Sequence, residues 1–172
     1  FTAAQIGGRS VGTPGVLRGL ELAHRKHGRL EWATLFEPAI ALAEQGFAIS
    51  PRLHALIASD PSLPGSPDMA AYFLNADGSP KAVGTVLKNP ALAGVLKRIA
   101  HEGPDALYKG PVAEEIVAKV QGHANPGSLS LSDLKGYTAR ERPALCTDYK
   151  RWQICGMPPP SSGGVAVAQI LG

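Results

Sequence analysis

The chain has 172 residues, 44% of them hydrophobic and 18% charged, with 20 glycines, 15 prolines and only four Phe, two Trp and four Tyr. As a prior this is one domain that buries roughly 68–70% of its unfolded surface, neither disordered nor collagen-like, with a core of Ala, Leu, Val and Ile. Seventeen Lys and Arg against fourteen Asp and Glu leave +3, too scattered for the concentrated basic patch of a nucleic-acid surface, and the longest apolar runs, such as Val165 to Leu171, fall far short of the ~20 residues a membrane span needs.

The first two-thirds reads as helical with many interruptions. Thr13-Pro14 is a cap-plus-first-turn pair, because proline's missing N–H is one that a helix start leaves unbonded anyway. The pattern predicts a helix from about Pro14 to His27, with Leu17 and Leu20 on one face and Gly28 as a left-handed stop. Arg25, Lys26 and Arg29 gather at that end, where the helix dipole favours cations. A second helix is expected over Glu31 to Gln45, stopped by Gly46. Pro38 requires it either to start near Glu37 or to bend there. Ser50-Pro51 opens a short helix through Leu53, Leu56 and Ile57. Residues 60–86 hold four prolines and three glycines and read as a long surface excursion with one short helix near Asp68 to Leu74.

Asn89-Pro90 repeats the cap signature, and Leu92, Val95, Leu96 and Ile99 give an amphipathic stripe that ends before Gly103. Pro111 opens another helix, with Val112, Ile116 and Val120 on one face. From Arg140 the period changes to two: Ala144 to Tyr149 and Trp152 to Met157 read as strands, with Lys150-Arg151 as the midpoint of a hairpin. Met157-Pro158-Pro159-Pro160 is expected to be extended, and Ser161 or Ser162 to cap a helix that has hardly begun at Gly172. The chain starts at Phe1 without a signal-peptide pattern, and both ends read as cut. The expected organisation is one fragment, 1–172, with a helical part at 14–123 and a β-hairpin with a following helix start at 138–172. The order of helices, hairpin and helix suits an α+β fold or the helical layer of a larger sandwich.

Chemistry-bearing patterns are sparse. Among five histidines (His24, His27, His54, His101, His123), only His24 and His27 share a helical face, and they lack a third zinc ligand. Gly7-Gly8-Arg9-Ser10 has neither phosphate-loop spacing. Glu114-Glu115 and Glu141 read as solvated rather than as acid/base pairs. No G-x-S-x-G elbow is present; Ser161-Ser162-Gly163-Gly164 comes nearest, and reads as a helix cap after a proline strand. If Lys150 and Arg151 form the turn pair, Cys146 faces Cys155, Thr147 faces Ile154 and Tyr149 faces Trp152. Opposed residues lie about 4.5–5.5 Å apart, within the Cα range of a disulfide; the alternative is two thiols packed as small hydrophobes.

Met157-Pro158-Pro159-Pro160-Ser161-Ser162-Gly163-Gly164 resembles the M-P-P-P-S-S-G-G signature of the γ-glutamyltranspeptidases, N-terminal-nucleophile hydrolases made as a precursor and cleaved into large and small subunits. The resemblance extends over almost the whole chain. Ser10-Val11-Gly12-Thr13-Pro14-Gly15 is similar to the family's S-x-G-x-P-G. Trp32-Ala33, Leu35-Phe36, Pro38-Ala39-Ile40, Leu42-Ala43 and Gly46-Phe47 are similar to its W-A-x-L-F-x-P-A-I-x-L-A-x-x-G-F run. Gly103-Pro104, Tyr108-Lys109-Gly110, Asp133-Leu134, Tyr137 and Asp148-Tyr149 follow in the same order. One departure is Arg151, where members often carry Gly; a side chain there opposes the positive φ of a primed turn.

The resemblance implies a large-subunit fragment of an αββα sandwich, from an enzyme that transfers or hydrolyses the γ-glutamyl group of glutathione-like donors. Its nucleophile would be a threonine freed by self-cleavage, with its own amine as base. That threonine is expected outside this chain, since Thr2, Thr13, Thr34, Thr85, Thr138 and Thr147 lack the T-x-H context of the processing site. The arginine that grips the donor carboxylate is also expected elsewhere, Arg9 being the nearest cation. No catalytic, cofactor-binding or metal-binding residue is therefore assigned here, and no cofactor is implied. The implied partners are the small subunit and a γ-glutamyl donor, and the implied location is the periplasm or outside the cell. The alternatives are a related acylase or capsule-processing transpeptidase, or a non-catalytic helical binding module.

Overall fold

A computed structural model describes residues 5–172, so Thr2 lies outside the described residues. The chain forms two compact units, one reaching to Thr138 and the other running from Ala139 to Gly172. The fold is α+β and mainly helical.

In the first unit a 3-10 turn at Gly8–Ser10 precedes α1 (Val16–His27). The expected Thr13-Pro14 start is not observed: Gly15 is the N-cap residue and no side chain caps the helix. Tyr108 explains the later start, because its hydroxyl donates to the Pro14 carbonyl at 2.7 Å and takes an acceptor of the would-be first turn. Gly28 also departs from expectation. Its φ is −63°, not left-handed, and its requirement for glycine is spatial, since a Cβ would stand 2.5 Å from the His24 carbonyl oxygen.

A 3-10 turn over Ala33–Phe36 leads into α2 (Glu37–Gln45), with Pro38 in the first turn and Gly46 leaving at φ +88°. Of the two expected alternatives, the start at Glu37 is the one adopted. β1 (Phe47–Ala48) then pairs antiparallel with β2 (Val86–Leu87), a pairing the periodicity does not reveal because each strand is two residues long. Between them lie α3 (Pro51–Ser59), capped by Ser50, and α4 (Pro67–Phe73). The 60–86 stretch is not a surface excursion: Leu63 and Leu74 are buried with Ile49, Ile57 and Leu87 in a core of their own. Five apolar residues brought together from residues 49–87 supply the burial that holds the loops down.

α5 (Pro90–Glu102) begins as expected, the Asn89 carboxamide accepting from the Leu92 N–H at 2.9 Å. Its buried face is Ala93, Ile99 and Ala100, while Leu92 stays exposed. The stripe is rotated because α5 packs on α2, and small residues permit close approach. α6 (Asp105–Tyr108), α7 (Pro111–Gln121) and α8 (Leu131–Gly136) enclose a second core of Tyr108, Ala113, Val120, Leu129 and Leu134. A capping box formed by Ser130 and Asp133 starts α8.

The second unit is a hairpin and a helix: β3 (Leu145–Tyr149) pairs with β4 (Trp152–Gly156), and α9 (Gly163–Leu171) packs on both strands.

Candidate functional site

Two places gather chemistry-bearing side chains. The first is the end of the second unit. Its register is Cys146 with Cys155, Thr147 with Ile154 and Tyr149 with Trp152, as the turn arithmetic predicts. Cys146 and Cys155 are joined in a disulfide, their Cα atoms 4.1 Å apart. At the tip it is Lys150, not Arg151, that takes the positive φ, +55°. Arg151 thus replaces a glycine without entering the left-handed region, and both cations lie over neighbouring rings, Lys150 over Tyr149 and Arg151 over Trp152.

Beyond β4 the proline run does not stay extended. It turns at Pro159-Pro160, a cis bond, with the Ser161 N–H donating to the Pro158 carbonyl at 3.3 Å. Arg142 Nη1 donates to the Pro159 carbonyl at 2.5 Å and fixes the turn from the strand entry. Ser162 is the N-cap residue of α9, yet its side chain makes no cap hydrogen bond. The expectation of a serine hydroxyl capping this helix is therefore corrected: the backbone angles of Ser162 are already helical (φ −82°, ψ −22°), whereas a capping side chain reaches the N2 or N3 amide from an extended N-cap. Gly164 carries the packing instead. A Cβ there would stand 2.4 Å from the Met157 carbonyl oxygen, and one on Gly156 would stand 2.8 Å from Gly164 Cα, so the helix and the strand exit touch backbone to backbone. Thr147, Ile154, Gly156, Gly164 and Val167 line a cavity of about 130 Å³ between hairpin and helix.

Neither serine has the surroundings of a nucleophile. Both are exposed, no histidine occurs between residues 139 and 172, and no carboxylate is hydrogen-bonded to either hydroxyl among the described residues. A serine attacks only with a base in reach and donors for the oxyanion.

The second place was not read from the sequence as a site. Arg18 projects from α1 with its guanidinium 4.4 Å from the Tyr108 ring centroid. It donates to Asp105 at 2.5 Å and to Glu21 at 3.1 Å, and Lys109 reaches Asp105 at 2.6 Å. The Lys109 and Arg18 hydrogen bonds hold the Asp105 carboxyl below its ordinary value of 3.8, and burial raises the Tyr108 phenol above 10. Tyr137 stacks on Tyr108. Arg18 pairs with Glu21 and Asp105, and Lys109 with Asp105, so the cluster joins α1 to α6.

The remaining singled-out residues are dispersed. His24 Nε2 is 2.8 Å from the Leu30 carbonyl oxygen and its ring meets Trp32 edge-on; Trp32 donates to the Ile99 carbonyl at 3.1 Å and packs against Phe36. This is the physical content of the W-A-x-L-F run: a clasp between the α1 end, the α2 entry and α5. His54 sits 2.9 Å from the Lys81 carbonyl, and His123 Nδ1 accepts from the Asn125 N–H. Gly8 lies where a Cβ would meet the Val120 carbonyl at 2.0 Å, so the Gly7–Ser10 turn is a packing element. Arg9 is exposed, and so, each in its own place, are Glu114, Glu115 and Glu141. Among the described residues no group of three His, Cys, Asp or Glu lies close enough to hold a metal ion.

A sequence model of the gamma-glutamyltranspeptidase family matches residues 2–172. The chain belongs to the γ-glutamyltranspeptidase family. The glutathione hydrolase proenzyme of Escherichia coli (strain K12) is 38% identical over 162 residues, 93% of this chain and 27% of that protein. The acylase ACY 1 proenzyme of Pseudomonas sp. (strain V22) is 37% identical over 167 residues, 96% of this chain and 29% of that protein. The crystal structure of Helicobacter pylori γ-glutamyltranspeptidase superposes with a TM-score of 0.90 at 29% identity, covering 99% of this chain and 48% of that one. The chain thus spans under a third of the length of the curated relatives it matches. The M-P-P-P-S-S-G-G and W-A-x-L-F runs that mark the family are, in this structure, a helix-docking turn and an aromatic clasp.

Proposed function

We propose that the protein carrying this chain transfers or hydrolyses the γ-glutamyl group of glutathione-like donors, and that this chain supplies scaffold rather than reacting groups. The observation that carries the activity is the 38% identity to a glutathione hydrolase proenzyme across 93% of the chain. The scaffold assignment is supported by the surroundings of the serine pair in the signature: both are exposed, and among the described residues neither hydroxyl is hydrogen-bonded to a histidine or a carboxylate that could act as its base. Catalytic residues, the donor-binding arginine and the second subunit of a processed precursor belong outside residues 1–172. A location in the periplasm or outside the cell fits the Cys146–Cys155 disulfide, since such bonds persist in oxidising compartments. No described helix is long and apolar enough to cross a membrane.

A second reading is favoured by a specific finding, the 37% identity to an acylase proenzyme; on that reading the same scaffold serves another acyl donor. Donor preference separates the two. The full-length protein is given a γ-glutamyl anilide and, separately, a simple acyl anilide that lacks the α-amino and α-carboxylate groups. Faster release from the first supports the γ-glutamyl reading, and faster release from the second overturns it in favour of the acylase.

A further inference from the structure

The histidines of this chain differ in what their rings face. A carbonyl oxygen lies 2.8 Å from His24 Nε2, and another lies 2.9 Å from His54 Nδ1. Carbonyls only accept, so those ring nitrogens carry protons, and a second proton on either ring leaves its bond in place. His123 is the reverse case. Its Nδ1 lies 2.9 Å from the Asn125 backbone nitrogen, and a backbone N–H has only a proton to give, so Nδ1 must be unprotonated. An imidazolium has two donors and no acceptor, and cannot make this bond. We propose that His123 is a pH-sensitive switch: its neutral ring keeps the loop 122–127 clamped on residues 6–9, and its protonation releases the clamp.

Asn125 carries both sides of the switch. Its backbone N–H is on His123, while its carboxamide donates to the Ile6 carbonyl at 2.9 Å and its carbonyl accepts from the Arg9 N–H at 3.3 Å. The ring also packs on Gly7, where a Cβ would stand 2.7 Å from Nδ1. Further along the loop, Gly127 donates to the Val120 carbonyl at 3.1 Å, the same carbonyl against which Gly8 is lodged. A proton on Nδ1 sets two donors face to face at hydrogen-bond distance, so Asn125 must move, and its bonds to residues 6 and 9 move with it. The charged groups on the elements around the ring are Lys119 of α7, Asp68 of α4, which takes the Lys119 ammonium, and Arg9 of the 3-10 turn. Lysine, aspartate and arginine ordinarily keep their charge between pH 5 and 8, the interval in which an imidazole gains its proton, so the histidine is the group that changes. The switch is independent of which acyl donor the protein uses.

The test uses the full-length protein and peptide-resolved amide exchange at about pH 8 and about pH 5. Rates are expressed as protection relative to unstructured peptides, so that the pH dependence of the exchange chemistry cancels. Protection of residues 6–10 and 122–127 is expected to fall about three- to tenfold at the lower pH, the effect of losing one hydrogen bond, while the segments around Leu30 and Lys81 keep theirs. His123→Asn places an amide oxygen near the position of Nδ1 and does not titrate, so it is expected to keep its protection at both pH values. His123→Ala removes the acceptor and is expected to show the low protection at both. Protection that is absent at the higher pH, unchanged at the lower, or lost equally around Leu30 and Lys81 overturns the proposal. So does a fall that persists in His123→Asn, or full protection in His123→Ala. Should the variants fail to fold, the comparison among segments of the unaltered protein decides.

Discussion

Gly163 and Gly164 are adjacent in the family signature, and the structure predicts opposite outcomes when each is replaced by alanine. At Gly164 a methyl group would stand 2.4 Å from the Met157 carbonyl oxygen and 3.2 Å from the Gly156 carbonyl carbon. The first distance is about 1 Å short of ordinary van der Waals contact, and the obstacle is backbone, which cannot rotate away; overpacking of this kind costs about 1–3 kcal/mol. At Gly163 nothing lies within 4 Å of the built Cβ and φ lies outside the left-handed region, so alanine narrows the unfolded ensemble and stabilises by about 0.4–1 kcal/mol. Amide exchange of residues 163–171 reads both, and thermal unfolding gives a second reading at about 2–4 °C per kcal/mol. Gly164→Ala is expected to accelerate exchange throughout α9, and Gly163→Ala to leave it unchanged or slower. Equal losses from the two variants, or a silent Gly164→Ala, would refute the backbone-contact explanation of the signature.

Ser162→Ala should change stability by less than about 0.5 kcal/mol, since its side chain caps nothing, whereas Ser50→Ala, which removes the acceptor for the Leu53 N–H, should cost about 0.5–2 kcal/mol by urea unfolding. Leu134→Ala empties a fully buried position in the second core and should cost about 2–5 kcal/mol; a value under 1 kcal/mol would show that core to be loosely packed. The Asp133 carboxyl is held below 3.8 by hydrogen bonds from the Ser130 side chain and backbone. A depressed folded pKa contributes stability at neutral pH that is lost as pH falls from about 3.8 through the folded value, so α8 should fray in that window, and Asp133→Asn should remove its share of the acid dependence as read by circular dichroism.

The sequence shows those features of this fold that arise from local chemistry. Ser50-Pro51 and Asn89-Pro90 start helices because a side-chain oxygen and a missing N–H complement a helix start wherever it lies in the fold, and Pro38 restricts α2 to two placements, of which the structure takes one. The hairpin register follows from two turn residues and a period of two. What escapes is set by distant partners. Thr13-Pro14 has the right chemistry for a cap, but Tyr108, 94 residues away, claims the Pro14 carbonyl. β1 and β2 are too short to show periodicity, and the core between them is assembled from single apolar residues among prolines and glycines. The Ser130 to Asp133 box stands in the sequence as S-x-x-D before Leu134, but the helix it starts is only six residues long and shows no apolar stripe. At the signature the serines draw attention to nucleophiles, while the structure places the constraint on the glycines, through a contact that only three dimensions reveal.

The central claim, that these 172 residues carry scaffold and no reacting group, is tested by chromophore release from a γ-glutamyl anilide. The chain alone is expected to release none above buffer, while the full-length protein releases it. Release by the chain alone that disappears in the S161A/S162A variant would contradict the account and place the nucleophile in the signature itself.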